Sequence, residues 1–116
     1  MEDKITLQRV KSVSQDKYKK AERYYSLISS LNDLRLTERE LQLVAFTAIR
    51  GNMSYGTIRE DFCKAFKTSS PTINNMISRL KRLNILIKDR GKIKVNPKLL
   101  LNFDKDIVLQ ITLKNE

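Results

Sequence analysis

One stretch decides the fold: SPTINNMISRLKRLNILIKDRGKIKV, residues 70–95. Ser70 followed by Pro71 predicts a helix start, with serine as the N-cap and proline at the first helical position, where its missing N–H costs nothing. Apolar residues then recur at helical spacing, and they are Ile73, Met76, Ile77, Leu80 and Leu83. Asn84 predicts the end of this helix at about Leu83, because asparagine tolerates left-handed backbone nearly as glycine does.

An antiparallel hairpin is predicted immediately after this helix. Two runs rich in β-branched residues occupy positions 85–88 and 92–95. Asp89-Arg90-Gly91 separates them and predicts a tight turn in which Gly91 supplies the positive φ. Asn96-Pro97 ends the second strand, because proline cannot donate to a ladder.

A capping box at Thr37-Glu38-Arg39-Glu40 predicts an earlier helix start, with threonine as the N-cap and glutamate three residues later. Leu36 and Leu41 occupy the two positions of a hydrophobic staple around that cap. Apolar residues then cover most of the helix circumference up to Gly51, which is placed to end it. We therefore expect a central, buried helix.

A shorter helix is predicted between Gly51 and Ser70, from about Thr57 to Phe66. Its expected buried residues are Ile58, Phe62, Ala65 and Phe66. Met53-Ser54-Tyr55 before it favours a short extended piece. Cys63 lies beside the apolar stripe and is interpreted as a small buried hydrophobe.

The two ends of the chain predict strands outside this core. Alternation over residues 5–10 and 107–113 is typical of strands, the first weakly so. Between Ser14 and Leu31 the pattern predicts a basic amphipathic helix that closes near Asn32-Asp33. Its apolar stripe is Ala21, Tyr24, Tyr25, Ile28 and Leu31, and its expected opposite face is Lys17, Lys19, Lys20 and Arg23. Packing is the preferred interpretation of these tyrosines over stacking on single-stranded nucleic acid.

The fold class predicted from these elements is α+β, mainly α with a small β-hairpin. The expected organisation is an N-terminal extension over 1–36, a core domain over 37–98 and a C-terminal extension over 99–116.

Charge is concentrated in one part of the chain. The 116 residues include 23 Lys+Arg and 13 Asp+Glu, a formal net charge of +10. Residues 70–98 contain eight Lys or Arg and only one acid, Asp89, so this segment alone carries +7. Such a segment favours a polyanionic partner.

Composition argues against most catalytic chemistry. The chain has no histidine and one cysteine, which excludes His/Cys zinc sites, Cys-His or Ser-His catalytic pairs and disulfide frameworks. The carboxylates Glu38/Glu40 and Glu60/Asp61 are explained by the preference for acids near helix N-termini. No apolar run approaches the roughly 20 residues that span a bilayer, and the first residues lack a signal-peptide pattern. We expect a cytoplasmic protein of a prokaryotic or phage-infected cell, with no enzymatic activity, cofactor, metal or membrane partner.

The segment from Thr72 to Ile87 resembles the part of MarR-like regulators in which a recognition helix leads into a wing, with Asn84 where glycine is usual. The wing followed by Val95-Asn96-Pro97 is also similar to small plasmid and phage replication proteins of this fold. The resemblance covers about residues 37–97. It implies a winged helix-turn-helix that binds double-stranded DNA, as a transcriptional regulator or a replication-initiation accessory.

Such a protein would place the helix at about 70–83 in the major groove and the wing at 85–95 along the backbone or minor groove. The candidate base contacts are Thr72, Asn74, Asn75, Ser78 and Arg79. The candidate phosphate and wing contacts are Ser69, Ser70, Arg82, Lys88, Arg90, Lys92 and Lys94. An asparagine amide matches the edge of adenine, whereas arginine suits guanine or a phosphate, and either could also be ordinary polar surface.

Two further hypotheses come from the same residues. The same fold could instead serve as a protein-binding or assembly module, for example in a virion or replication complex, with no sequence-specific DNA role. The segments 1–31 and 104–116 could assemble a homodimer or larger homo-oligomer, or the two end strands could pair within one chain.

Overall fold

The computed structural model describes residues 8–10, 16–105 and 107–109. Within them the protein is α+β and mainly helical, with two separate two-stranded antiparallel sheets. The elements in chain order are β1 (Gln8–Val10), α1 (Lys17–Leu31), α2 (Glu38–Arg50), α3 (Gly56–Phe66), α4 (Ser70–Arg82), β2 (Leu86–Asp89), β3 (Lys92–Val95), a 3-10 turn (Pro97–Leu99) and β4 (Ile107–Leu109). No helix among the described residues is long and apolar enough to cross a membrane.

Helix α2 lies at the centre of the core and begins as the sequence predicts. The Thr37 hydroxyl accepts a hydrogen bond from the Glu40 N–H at 3.1 Å, and Glu40 Oε1 accepts one from the Thr37 N–H at 2.8 Å. The capping box is therefore confirmed. Gly51 ends the helix with a φ of +94°. The consecutive residues Leu43, Val44, Ala45, Phe46 and Thr47 are all buried.

Helix α4 has the predicted inner stripe, with Ile73, Met76, Ile77 and Leu80 all buried. Its N-cap is Ser69, so the prediction of Ser70 is wrong by one residue. The Ser69 hydroxyl accepts from the Thr72 N–H at 3.4 Å, and Pro71 is the second helical residue. Two adjacent serines offer the same side chain, and only the backbone conformation decides between them.

The hairpin is tighter than its sequence predicts. Asp89 belongs to β2 and pairs with Lys92, so the turn is Arg90-Gly91 alone rather than three residues. Both turn residues have positive φ, +53° and +80° respectively. This is the pattern of a type I′ turn, whose twist matches that of the strands. Arginine is an unusual choice for its first position, because its Cβ crowds the left-handed backbone.

The segment between α2 and α3 forms a turn, so the prediction of an extended piece at residues 53–55 is wrong. The side chain of Asn52 accepts from the Ser54 N–H at 2.9 Å and closes the chain locally. The same amide oxygen accepts from the Ile93 N–H at 2.9 Å, and the Met53 N–H donates to the Ile93 carbonyl at 2.8 Å. This turn therefore bonds to the edge of β3 through both main-chain groups of Ile93, although it is not itself a strand.

Helix α1 packs on α2 and carries its tyrosines into the core. Asp16 caps it by accepting from the N–H groups of Tyr18 and Lys19 at 3.0 and 3.3 Å. Tyr25 is 1% exposed, lies 5.9 Å from Phe103 between ring centroids, and donates to the Leu99 carbonyl at 2.9 Å. Burial, with a smaller contribution from Tyr24, raises the pKa of its phenol.

One basic residue of α1 lies on the wrong side for the predicted pattern. Lys20 was expected on the solvated face, but it is buried and its ammonium donates to the Lys105 carbonyl at 2.8 Å. A long basic side chain can bury its apolar stem while its charged end reaches a polar partner, and binary patterning does not anticipate this. Leu31, expected in the stripe, is 56% exposed at the end of the helix.

The end strands pair with each other within one chain, Gln8 opposite Leu109 and Val10 opposite Ile107. This is the intramolecular alternative left open by the sequence. The other residues predicted to be in these strands, 5–7 and 110–113, lie outside the described residues, as does Ser14.

Candidate nucleic-acid interface

The outer face of α4 consists of the polar side chains that point away from the core. All of them are exposed, and they are Thr72, Asn74, Asn75, Ser78, Lys81 and Arg82. The face contains no carboxylate, since residues 70–88 include no Asp or Glu. Asn75, Ser78, Lys81 and Arg82 together line a shallow concave surface. A helix with this composition can present hydrogen-bond donors and acceptors to an anionic partner without repelling it.

Arg79 does not share this face. Its Nη1 donates to the carboxylate of Glu40, and its Nη2 donates to the carbonyl oxygen of Leu34 at 3.1 Å. The side chain of Glu40 is 5% exposed and that of Arg79 is 36% exposed. Arg79 therefore ties α4 to the N-terminus of α2. A contact with DNA through this guanidinium would have to replace the bond to Glu40.

Asn74 and Asn75 are adjacent but differ in their surroundings. Asn74 Oδ1 accepts a hydrogen bond from Arg59 Nη1 at 2.6 Å. The Asn75 side chain makes no hydrogen bond within the described part of the chain. The two candidate readers of a base edge are thus not equivalent, because one amide is oriented by a cation and the other is free to turn.

The hydroxyls at the start of α4 are partly used inside the protein. The hydroxyls of Ser69 and Thr72 are hydrogen-bonded to each other at 2.9 Å. Ser70 accepts from Arg59 Nη1 at 3.3 Å. These side chains are exposed, and a phosphate at this end of α4 would compete with bonds already present.

The hairpin exposes three cations, Lys88, Arg90 and Lys92. Lys94 is half-buried and pairs with Asp89 at 3.0 Å, so the single acid of residues 70–98 is neutralised within the hairpin. Asp89 pairs with Lys92 and Lys94 with Ile87, two positions along the ladder, so Asp89, Lys92 and Lys94 lie on the same face of the hairpin. The positive charge concentrated at the turn therefore comes from side chains that form no ion pair in the described region.

Three contributors to this surface were not predicted from the sequence: Arg59, which contacts Asn74; Glu40, as the partner of Arg79; and Asn52, which holds β3. The capping box did single out Glu40, but a capping signal says nothing of a partner 39 residues away. Arg59 and Asn52 stand in a helix and a turn with no local pattern that distinguishes them.

No family model matches the chain, and neither a curated protein nor a solved structure is significantly similar to it. Among the described residues, no group of three or more Cys, Asp or Glu side chains is placed to hold a metal ion.

Proposed function

We propose that this chain is a double-stranded DNA-binding protein with a winged helix-turn-helix core, acting in transcriptional regulation or as an accessory of replication initiation. Helix α4 enters the major groove, and the β2–β3 hairpin is the wing on the backbone or in the minor groove. The observation that carries the proposal is the pairing of an exposed, carboxylate-free helix face with a hairpin whose free charges are all positive.

The dimensions and chemistry of α4 support this placement. The major groove of B-DNA, about 12 Å wide, admits one α-helix. The buried stripe of α4 packs against α3 and β2, which leaves the opposite face for the groove. Asn75 carries both a donor and an acceptor, as an adenine edge requires, and Lys81 and Arg82 at the C-terminal end suit phosphates.

The hairpin suits the DNA backbone because its charge is concentrated at the turn. Arg90 is held in the left-handed conformation at the tip of the hairpin. An asparagine or glycine there would be less strained.

Arg79 and Lys94 have a different part in this proposal from the one predicted for them. Each is paired with a carboxylate of the protein, Glu40 and Asp89 respectively. We assign them the orientation of α4 and of the hairpin. The contacts to DNA then fall to four exposed polar residues and five exposed cations. The polar residues are Thr72, Asn74, Asn75 and Ser78, and the cations are Lys81, Arg82, Lys88, Arg90 and Lys92.

The test is a titration of the full chain against random-sequence duplex DNA at several salt concentrations. If each of the five exposed cations neutralises one phosphate, the plot of log K against log salt should have a slope of about −4 to −5, from roughly 0.9 per contact. The matched control is Lys19→Ala/Arg23→Ala on α1, which packs on α2 and should leave the slope unchanged.

Absence of binding at low salt would refute DNA binding and favour the second hypothesis, an assembly module that uses the same surface for an acidic protein. Equal slopes for wild type and for a variant lacking Lys88, Arg90 and Lys92 would remove the hairpin from the interface.

A homodimer through residues 1–31 and 104–116 stays a prediction. Tyr24 and Tyr25 of α1 each lie 5.9 Å from Phe103 of the same chain between ring centroids, so this part of the apolar stripe is covered within one chain. Light scattering by the full chain at tens of micromolar, with a 33–103 truncation for comparison, tests it. A monomeric full chain would refute the dimer.

A further inference from the structure

Arg59 on α3 joins the interior of the protein to the outer face of α4. Its Nε donates to the carbonyl oxygen of Met53 at 3.0 Å. Its Nη1 donates to Ser70 Oγ at 3.3 Å and to Asn74 Oδ1 at 2.6 Å. Met53 is fully buried and its N–H is bonded to β3, so one side of the guanidinium is fixed by rigid backbone. The other side reaches the amide of Asn74.

This contact determines which way the amide of Asn74 faces. A carboxamide has an oxygen that accepts and a nitrogen that donates two protons. If the Asn74 amide turned over, its NH₂ would face the guanidinium, and two donors would meet. A hydrogen bond from a charged donor is about twice as strong as a neutral one, so the orientation is held even at an exposed position. The NH₂ group remains for a ligand.

We propose that Arg59 is a specificity-determining residue: it makes Asn74 a donor, so that Asn74 selects guanine over adenine at one position of the DNA site. The inference rests on the proposed function. In the major groove guanine presents two neighbouring acceptors, N7 and O6, whereas adenine presents the acceptor N7 beside the N6 amino donor. The two protons of Asn74 Nδ2 match the first pattern and oppose the second.

Asn75 provides the comparison within the same helix. Its amide makes no hydrogen bond in the described part of the chain and can present oxygen and nitrogen together. An asparagine with this freedom reads adenine. Two adjacent asparagines therefore have different base preferences because only one of them is bonded to Arg59.

The experiment selects bound sequences from a randomised duplex pool, using the full chain as wild type, Arg59→Met and Asn74→Ala, with Asn75→Ala as the matched control. Methionine keeps the length of the side chain but has no donor. We expect the guanine-to-adenine ratio at one base pair to fall about tenfold in Arg59→Met. Asn74→Ala should abolish the preference at that same base pair, and Asn75→Ala should affect a different one.

The outcomes separate the inference from the function on which it rests. An unchanged preference in Arg59→Met overturns the inference. Guanine selection that survives in Asn74→Ala overturns it too, because Arg59 would then read the base itself. Uniformly weaker binding of Arg59→Met to every sequence would overturn the inference as well, because Arg59 would then be a phosphate contact, and it would leave DNA binding intact. Failure of the wild type to bind any duplex would overturn the proposed function and the inference together.

A second measurement uses the free protein and needs no DNA. The ¹⁵N heteronuclear NOE of the side-chain NH₂ groups reports their motion on the picosecond-to-nanosecond timescale. We expect the Asn74 group to be more ordered than that of Asn75 in the wild type, and equally mobile in Arg59→Met. Thermal unfolding of Arg59→Met checks that it is folded. Equal mobility of the two groups in the wild type overturns the inference.

Discussion

Arg79 and Arg82 are three residues apart on α4, and the structure uses them differently. Arg79 lies at the edge of the helix that meets α2, where its guanidinium is bonded to Glu40 and to the Leu34 carbonyl. Arg82 lies on the outer face and is exposed. The same difference separates Lys94, paired with Asp89, from Lys92. A cluster of basic residues therefore contains two populations, one that holds the fold and one that is available to a partner.

The difference depends on where the carboxylates are. Glu40 has little access to solvent, and a buried carboxylate without a cation is costly. The capping box of α2 fixes the position of Glu40. Arg79 therefore pairs with a carboxylate that is held in place by the start of another helix. The outer face of α4 has no carboxylate with which its cations could form an ion pair. The comparison can be tested by changing one member of each pair.

The largest expected effect separates Arg79 from Arg82 by stability. Arg79→Met leaves the buried carboxylate of Glu40 without its cation and should lower the free energy of unfolding by about 2–3 kcal/mol, a buried-pair cost reduced because Arg79 is partly exposed. Arg82→Met is the matched control and should change it by no more than about 0.5 kcal/mol. Urea unfolding measures both. Equal stability of the two variants would contradict the distinction.

The next effect tests whether an exposed residue of the outer face of α4 contacts a base. Asn75→Ala should weaken binding to a selected site by about 1–2 kcal/mol relative to random DNA, because it removes an amide that can offer both a donor and an acceptor to a base edge. Competition between the two DNAs measures the difference directly. If the variant lost equal affinity for both, Asn75 would be a backbone contact.

A smaller effect concerns the free charges of the hairpin. Replacing Arg90 and Lys92 by alanine should lower affinity for all sequences and flatten the salt slope by about one to two units. Lys19→Ala/Arg23→Ala removes the same charge from α1 and serves as its control. An unchanged slope in the hairpin variant would show that the wing points away from DNA.

The smallest effect separates folding from binding at a single residue. Arg90→Asn relieves an arginine at a φ of +53° and forms the favoured Asn-Gly turn. It should raise the free energy of unfolding by about 0.5–1 kcal/mol while reducing the salt slope by about one unit. Lys92→Asn, in regular strand backbone, should reduce the slope without raising stability. A less stable Arg90→Asn would mean that the arginine helps to form the turn.

The elements of the core could be predicted because their signals are local. The capping box at Thr37, the inner stripe of α4 and the left-handed Asn84 all act within a few residues, and the structure confirms each. The first and last residues of each element are harder to predict, because neighbouring residues carry the same local signal. Ser69 and Ser70 are interchangeable caps in sequence, and Asp89 could be assigned to the turn or the strand.

The contacts between elements were beyond prediction. Lys20, Arg79 and Arg59 reach partners 85, 39 and 15 residues away, respectively. Nothing in a periodic pattern distinguishes a basic residue that meets a distant carbonyl or carboxylate from one that meets water. Of the candidate base contacts on α4, Thr72, Asn74, Asn75 and Ser78 are exposed, whereas Arg79 is bonded to Glu40. Binding to DNA stays a prediction.

Asn52 has a thermodynamic consequence for the hairpin. Together with Met53 it satisfies both main-chain groups of Ile93, two residues from the turn, so the strand is held close to its tip as well as at its base. Fixing one residue's backbone costs about 1–2 kcal/mol of conformational entropy, and here that cost is met when the protein folds. A partner that binds Arg90 and Lys92 therefore meets an ordered hairpin, and its affinity is not reduced by having to order one.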